Sequence, residues 1–115
     1  MKLIIAIIRE TQLDQVRESL IEAGINRITV GHVSGHGRRS TSKEVYRGQI
    51  VVPNLVPNIR LEIAVNDDFV KTTTDAIMQG TTANEDELVG SGKIFIMPIE
   101  ECIRIRTGES GSEAI

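Results

Sequence analysis

At 115 residues and 40% hydrophobic, the chain is long enough for one core and too short for two comfortable ones, so residues 1–115 read as a single domain. A formal net charge of -3 argues against a general affinity for phosphate backbones and sets nucleic acid aside as a partner. The single cysteine, Cys102, excludes an intramolecular disulfide framework and reads as a small core residue.

The opening MKLIIAII has a positive residue and an apolar run, but Arg9 and Glu10 end that run early and no small-residue cleavage pattern follows. Residues 3–8 are therefore expected to form a buried strand. No window approaches the roughly eighteen apolar residues of a membrane span, so a soluble, cytoplasmic protein without direct membrane insertion is expected. Thr11 offers a hydroxyl to the open N–H groups of a helix start; Leu13, Val16, Leu20 and Ile21 recur at helical spacing, and Gly24 supplies the stop. NRITVGHV, 26–33, returns to alternation, with Ile28, Val30 and His32 on one face and Thr29 on the other.

Residues 35–57, GHGRRSTSKEVYRGQIVVPNLVP, then show little repeating apolar pattern. Structureless loops of that length are uncommon in compact domains unless they have a function. Residues 60–65 alternate cleanly, Leu61, Ile63 and Val65 against Arg60, Glu62 and Ala64. NDD at 66–68 is expected to cap a second helix that carries Phe69, Val70, Thr73, Ala76 and Ile77 ahead of Gly80. A polar connection leads to the strand KIFIMPIE, after which CIRIRTGE alternates Ile103 and Ile105 with Arg104 and Arg106; the tail ESGSEAI has no core pattern and is expected to be mobile. The order βαββαβ plus a C-terminal extension at about 101–115 predicts an α+β, ferredoxin-like fold with both helices on one face of an antiparallel sheet. Aliphatic residues remain on the other face, which predicts self-association.

Arg104 and Arg106, two apart on a predicted strand, can converge on one anion, although a solvated strand face explains the spacing equally well. Gly90-Ser91-Gly92-Lys93 adds a glycine-rich turn able to cradle phosphate oxygens, without the spacing of a Walker loop. Gly35 and Gly37 flank His36 and permit close backbone approach, with Arg38 and Arg39 next to them; a flexible loop entrance is the plainer reading. His32 and His36 have no cysteine or third histidine near them, so no metal site is expected. RRST has the form of a basic kinase target, but an anion funnel accounts for its charge. Glu85, Asp86 and Glu87 read as a solvated loop, and no Ser/His/Asp set or cysteine with a base can be argued from spacing. A nucleotide-binding regulator thus outranks an enzyme; a slow nucleotide phosphohydrolase and a metal-binding trimer are the alternatives.

YRG at Tyr46 to Gly48, GKIF at Gly92 to Phe95 and IRIRTGE at Ile103 to Glu109 resemble the nitrogen regulatory PII signalling proteins, and the similarity runs over nearly the whole chain. The resemblance implies a compact homotrimer that binds ATP or ADP in clefts between subunits, magnesium accompanying ATP. It implies a long effector loop, about 37–56 here, that grips a transporter, enzyme or transcription regulator, and a nucleotide-site turn at about 81–93. Adenine and ribose contacts are implied near Ile7, Thr29, Glu62 and Ala64, further contacts from Gly35, Gly37 and Arg38, and phosphate contacts from Gly90, Ser91, Gly92, Lys93, Arg104 and Arg106. The partner would meet Arg39, Val45, Tyr46, Arg47, Gln49, Ile50 and Val51.

The sequence also departs from the family pattern. Val51 stands where uridylylated members have a tyrosine, and Gln49 where phosphorylated members have a serine. Arg39 replaces the loop glutamine and Asn58 the lysine that serve 2-oxoglutarate in the family, so that keto acid is not expected to bind well.

Overall fold

Lys2–Arg9 forms β1, whose alternation organises the sheet in this computed structural model, which describes residues 1–36, 44–46, 49–51, 55–82 and 92–115, the two short segments 44–46 and 49–51 by their backbone. On one side β1 pairs antiparallel with β5, Val56–Val65, from Lys2 opposite Val65 to Arg9 opposite Asn58. On the other it pairs antiparallel with β6, Lys93–Pro98, from Lys2 opposite Pro98 to Ile7 opposite Lys93. β2, Thr29–Gly35, adds to the outer side of β5, giving the order β2-β5-β1-β6. β3, Glu44–Tyr46, and β4, Gln49–Val51, form a separate two-stranded ladder inside the segment whose sequence lacks apolar periodicity.

Because side chains alternate across a strand, Ile4, Ala6 and Ile8 share one face with Ile59, Leu61, Ile63 and Val65, and all are buried. Helix α1, Leu13–Glu22, and helix α2, Val70–Thr81, cover that face with Val16, Leu20, Ala76 and Ile77. Each fully buried aliphatic side chain stabilises the fold by about 1.5–3 kcal/mol relative to exposure. Both helices on one face of a four-stranded antiparallel sheet is the ferredoxin-like α+β arrangement expected from the sequence.

The helix ends differ from the sequence reading in instructive ways. α1 is preceded by a 3-10 turn, Glu10–Gln12, that contains Thr11; the buried Gln12 side chain accepts the Arg9 N–H at 3.0 Å, so the capping group is a carboxamide at the end of the turn. Gly24 does end α1, with φ +84°, its N–H donating to Ile21 and that of Ile25 to Leu20 at 2.8 Å. Before α2, Asn66 stands at the cap position without a side-chain cap bond; its Nδ2 instead donates to the Ser112 carbonyl at 3.1 Å. Gly80 is no stop: α2 continues through it, because the absent side chain lets the helices touch, and a Cβ there would lie 2.6 Å from the Val16 Cα. The buried Thr73 hydroxyl donates to the Phe69 carbonyl at 2.7 Å, which satisfies a polar group within an apolar contact.

The C-terminal segment overturns two expectations. Arg104 and Arg106 are not on a regular strand: Ile103 makes one isolated bridge with Ser110, and the Gly108 N–H donates to the Arg104 carbonyl at 2.8 Å in a turn that uses φ +74° at Gly108. Nor is the tail loose, for the Gly111 N–H donates to both the Cys102 carbonyl at 2.9 Å and Glu101 Oε1 at 3.0 Å, and a 3-10 turn, Ser112–Ala114, follows. Backbone bonds and positive-φ glycines hold this hairpin, and neither leaves an apolar period in the sequence.

Candidate functional site

The sheet face opposite the helices carries the candidate residues in rows set by strand register. Thr29, Glu62, Ile5 and Phe95 lie side by side across β2, β5, β1 and β6; Gly31, Arg60, Ile7 and Lys93 form the next row. Glu62 and Arg60, two apart on β5, point the same way, and Arg60 Nε donates to Glu62 Oε1 at 3.0 Å.

Thr29, Glu62 and Ala64 line one open concavity of about 420 Å³, whose remaining wall includes Ile28, Ala114 and Ile115. Arg27 and Cys102 line it as well, so a carboxylate, a hydroxyl and a guanidinium stand among apolar residues, which suits a flat, partly polar ring with apolar contact for its faces and hydrogen-bond partners for its edge. Ile7 lies a row away. There Gly92, with φ +120°, sits so close to β1 that a Cβ would meet the Ile7 carbonyl oxygen at 1.7 Å, and Lys93 follows at the first position of β6. This close approach places Gly92 and the exposed Lys93 together on the edge strand of the sheet, where an ammonium group suits an anion.

The two groups are separated. Thr29 is on β2 and Lys93 on β6, three inter-strand steps or about 14 Å apart across the sheet at the usual spacing, and Glu62 and Ala64 on β5 are one step closer. Gly35 ends β2 beside Asn58, whose Nδ2 would lie 3.7 Å from a Cβ at Gly35. Arg106 is exposed in the turn, whereas Arg104 is tied back, Nη2 donating to the Glu113 carbonyl at 3.1 Å and Nη1 to Glu109 Oε1 at 3.5 Å. Gly37, Arg38, Arg39, Arg47, Gly90 and Ser91, with the acidic run Glu85 to Glu87, lie outside the described residues, and Val45, Tyr46, Gln49, Ile50 and Val51 are placed by backbone alone.

Sequence reasoning missed Cys102, Ala114 and Ile115. Cys102 is half-buried at the concavity, not in the helix-side core, because the chain leaves the sheet before reaching it. Ala114 and Ile115 carry no periodic signal; only Gly108 and Gly111 hinted that the tail turns back. His32 Nδ1 lies 3.6 Å from Glu10 Oε1 on the exposed β2 edge, and among the described residues no three His, Cys, Asp or Glu side chains are grouped to hold a metal. At the far end of the sheet the N-terminal ammonium donates to Asp67 Oδ1 at 2.9 Å. That hydrogen bond, then the ammonium's charge and that of Lys2, hold the Asp67 carboxyl below its ordinary value.

The arrangement defines, as a class, a ferredoxin-like α+β domain with its candidate site on the uncovered sheet face. The sequence profile of the family described as "Nitrogen regulatory protein P-II" matches residues 1–109. Nitrogen regulatory protein GlnK1 of Methanosarcina mazei is 47% identical over 115 residues, spanning 100% of this chain and 97% of that protein. Nitrogen regulatory protein P-II of Bradyrhizobium diazoefficiens is 44% identical and that of Cereibacter sphaeroides 42%, each over the full length of both chains. The chain belongs to the nitrogen regulatory protein P-II family. It is a signalling protein of that family, a regulator and not an enzyme. Among the described residues no helix is long and apolar enough to cross a membrane.

Proposed function

We propose that the chain is a cytoplasmic sensor of ATP and ADP, assembled as a homotrimer, that holds nucleotide in clefts between subunits and controls a partner protein through residues 37–56. The partner is a transporter, an enzyme or a transcription regulator. The observation that carries this reading is the division of the open face into a base-like concavity at Thr29, Glu62 and Ala64 on β2 and β5 and an anion-suited edge at Gly92 and Lys93, two to three inter-strand steps away. Two different half-sites set apart on one sheet face are what a ring needs, since in a head-to-tail contact one patch of each copy meets another patch of the next. One subunit's base group would then stand beside its neighbour's phosphate group.

Exposed apolar residues support the assembly: Phe95 and Met97 on the open face are 48% and 40% exposed. Magnesium would accompany ATP, held chiefly by its phosphate oxygens. 2-Oxoglutarate is a poor candidate as co-ligand, because Asn58, half-buried on the same face, offers only neutral hydrogen bonds and Arg39 has no acceptor for a metal.

Calorimetric titration with ADP and with magnesium and ATP tests the reading. Saturable binding, weakened at least about tenfold by Lys93→Ala, is the expected result, a single charge-assisted bond being worth roughly 1.5–3 kcal/mol. Absence of binding to the unmodified chain by either nucleotide would remove the sensor function.

A further inference from the structure

Gln12 is a polar side chain with 2% of its surface exposed, held between the end of a strand and the end of a helix. Its Oε1 accepts the Arg9 N–H at 3.0 Å, and its Nε2 reaches the carbonyl of Thr81, the last residue of α2, at 3.5 Å. A buried carboxamide is costly unless its polar atoms are paired, so these two backbone groups fix where it sits. The backbone that Gln12 holds is also the seat of the anion-suited edge. Arg9 ends β1, and a Cβ at Gly92 would lie 1.7 Å from the Ile7 carbonyl oxygen and 3.4 Å from the Ile8 Cα. Three consecutive residues of β1, Ile7 to Arg9, thus carry both the Gly92 contact and the Gln12 bond, and Lys93 pairs with Ile7. The far end of the same carboxamide rests on α2 one residue beyond Gly80, where α2 is packed against Val16 of α1.

We propose that Gln12 is a positioning residue for the anion-suited edge. By tying the end of β1 to the end of α2, it sets where β1 receives Gly92, and so where Lys93 presents its ammonium group. It acts through Arg9, Ile8 and Ile7 and does not itself touch the ligand. The inference rests on the nucleotide reading above, and extends that reading to a buried residue of the turn before α1.

The test is calorimetry with ADP on the unmodified protein, Gln12→Leu, Gln12→Glu, Lys93→Ala, and Gln12→Leu combined with Lys93→Ala. Leucine removes both polar atoms of the carboxamide and should weaken ADP about fivefold, the effect of loosening one supporting contact of a binding group. With Lys93→Ala already present, Gln12→Leu should change the affinity by less than about twofold, because the group it positions is gone. At about pH 5.5 the buried carboxyl of Gln12→Glu is uncharged and again offers an acceptor and a donor, so ADP affinity should return to within about twofold of the unmodified protein at that pH. In the unmodified protein ADP should slow hydrogen exchange at the Arg9 amide more than at the Ile99 amide, which is bonded to the Met1 carbonyl at the other end of β1; this readout requires no variant to fold. Unchanged ADP affinity in Gln12→Leu, or a loss just as large when Lys93 is absent, overturns the positioning role. So does a Gln12→Glu protein that binds no better than Gln12→Leu at the acid pH, or equal slowing at the two amides. Failure of the unmodified protein to bind ADP at all defeats the nucleotide reading itself, an outcome distinct from the others.

Discussion

Gly92 stands against the carbonyl oxygen of Ile7, where a Cβ would lie at 1.7 Å, and its φ of +120° is one that L side chains rarely adopt. Both facts demand glycine. Gly92→Ala should therefore force the start of β6 away from β1 and move Lys93 with it. Urea unfolding should show a loss of roughly 2 kcal/mol, and ADP affinity should fall at least about tenfold. Retention of both stability and affinity would mean that this close approach does not shape the site.

Gly80 makes the equivalent approach on the helix side, 2.6 Å from a built Cβ to the Val16 Cα, but far from the candidate site. Gly80→Ala should push α1 and α2 apart and destabilise the fold by about 1–3 kcal/mol, the usual range for overpacking a tight contact. Nucleotide affinity should stay within about twofold. A chemical denaturation midpoint equal to that of the unmodified protein would contradict the tight helix contact.

Asp67 links acidity to stability. Its carboxyl is held below the ordinary 3.8 by the N-terminal ammonium, so the folded state binds a proton there less readily than the unfolded chain does. The resulting stabilisation is complete above about pH 5, and is lost as pH falls through 3.8 toward the depressed value. Asp67→Asn should lower stability at neutral pH, and the gap from the unmodified protein should close on acidification. A gap that stayed constant from pH 6 to below about pH 3 would rule out this linkage.

Phe95 occupies the open face opposite Ile5, with 48% of its surface exposed in one subunit. Light scattering of the unmodified protein at micromolar concentration should give a trimer. Phe95→Glu would place a charge against a neighbour's apolar surface and should shift the mass toward monomer. A monomer from the unmodified protein would defeat the shared-cleft assembly.

Asn58 provides the test of the small-molecule signal. Titration of 2-oxoglutarate into protein saturated with magnesium and ATP should show a dissociation constant well above about 10 μM, because exchanging an ion pair for a neutral hydrogen bond costs on the order of 1–2 kcal/mol. Binding tighter than that would show that Arg39 takes over the missing lysine's role.

The elements whose partners are periodic were legible in the sequence. Ile4, Ala6 and Ile8, and likewise Leu61, Ile63 and Val65, declare their buried face by the two-residue repeat of a strand, and Val16, Leu20 and Gly24 mark α1 by spacing and stop. Gly80 misled because its purpose lies in Val16, which is distant in sequence, and a contact of that kind has no local signature. The alternation of Ile103 to Arg106 resembles a strand, yet one bond from Gly108 to Arg104 bends it into a turn. Strand parity puts Glu62 and Ala64 on one face, and the register of β2 on β5 brings Thr29 opposite Glu62, but the family resemblance is what singles these three out, whereas Ala114 and Ile115 line the same concavity with no signal in composition.

β1 is an inner strand whose two partners come late in the chain, at 56–65 and 93–98. During synthesis from the N-terminus, its apolar residues emerge long before either ladder can form, and the sheet cannot close until Pro98 has left the ribosome. Pairings this remote in sequence slow closure, and among the described elements α1 is the helix already made before β5 that supplies core residues, Val16 and Leu20, to the cluster holding β1's Ile4, Ala6 and Ile8. Nascent chains stalled before β6 should therefore be captured by chaperones and degraded readily, and any change that loosens α1 should lower the yield of folded protein more than it lowers the stability of the finished molecule.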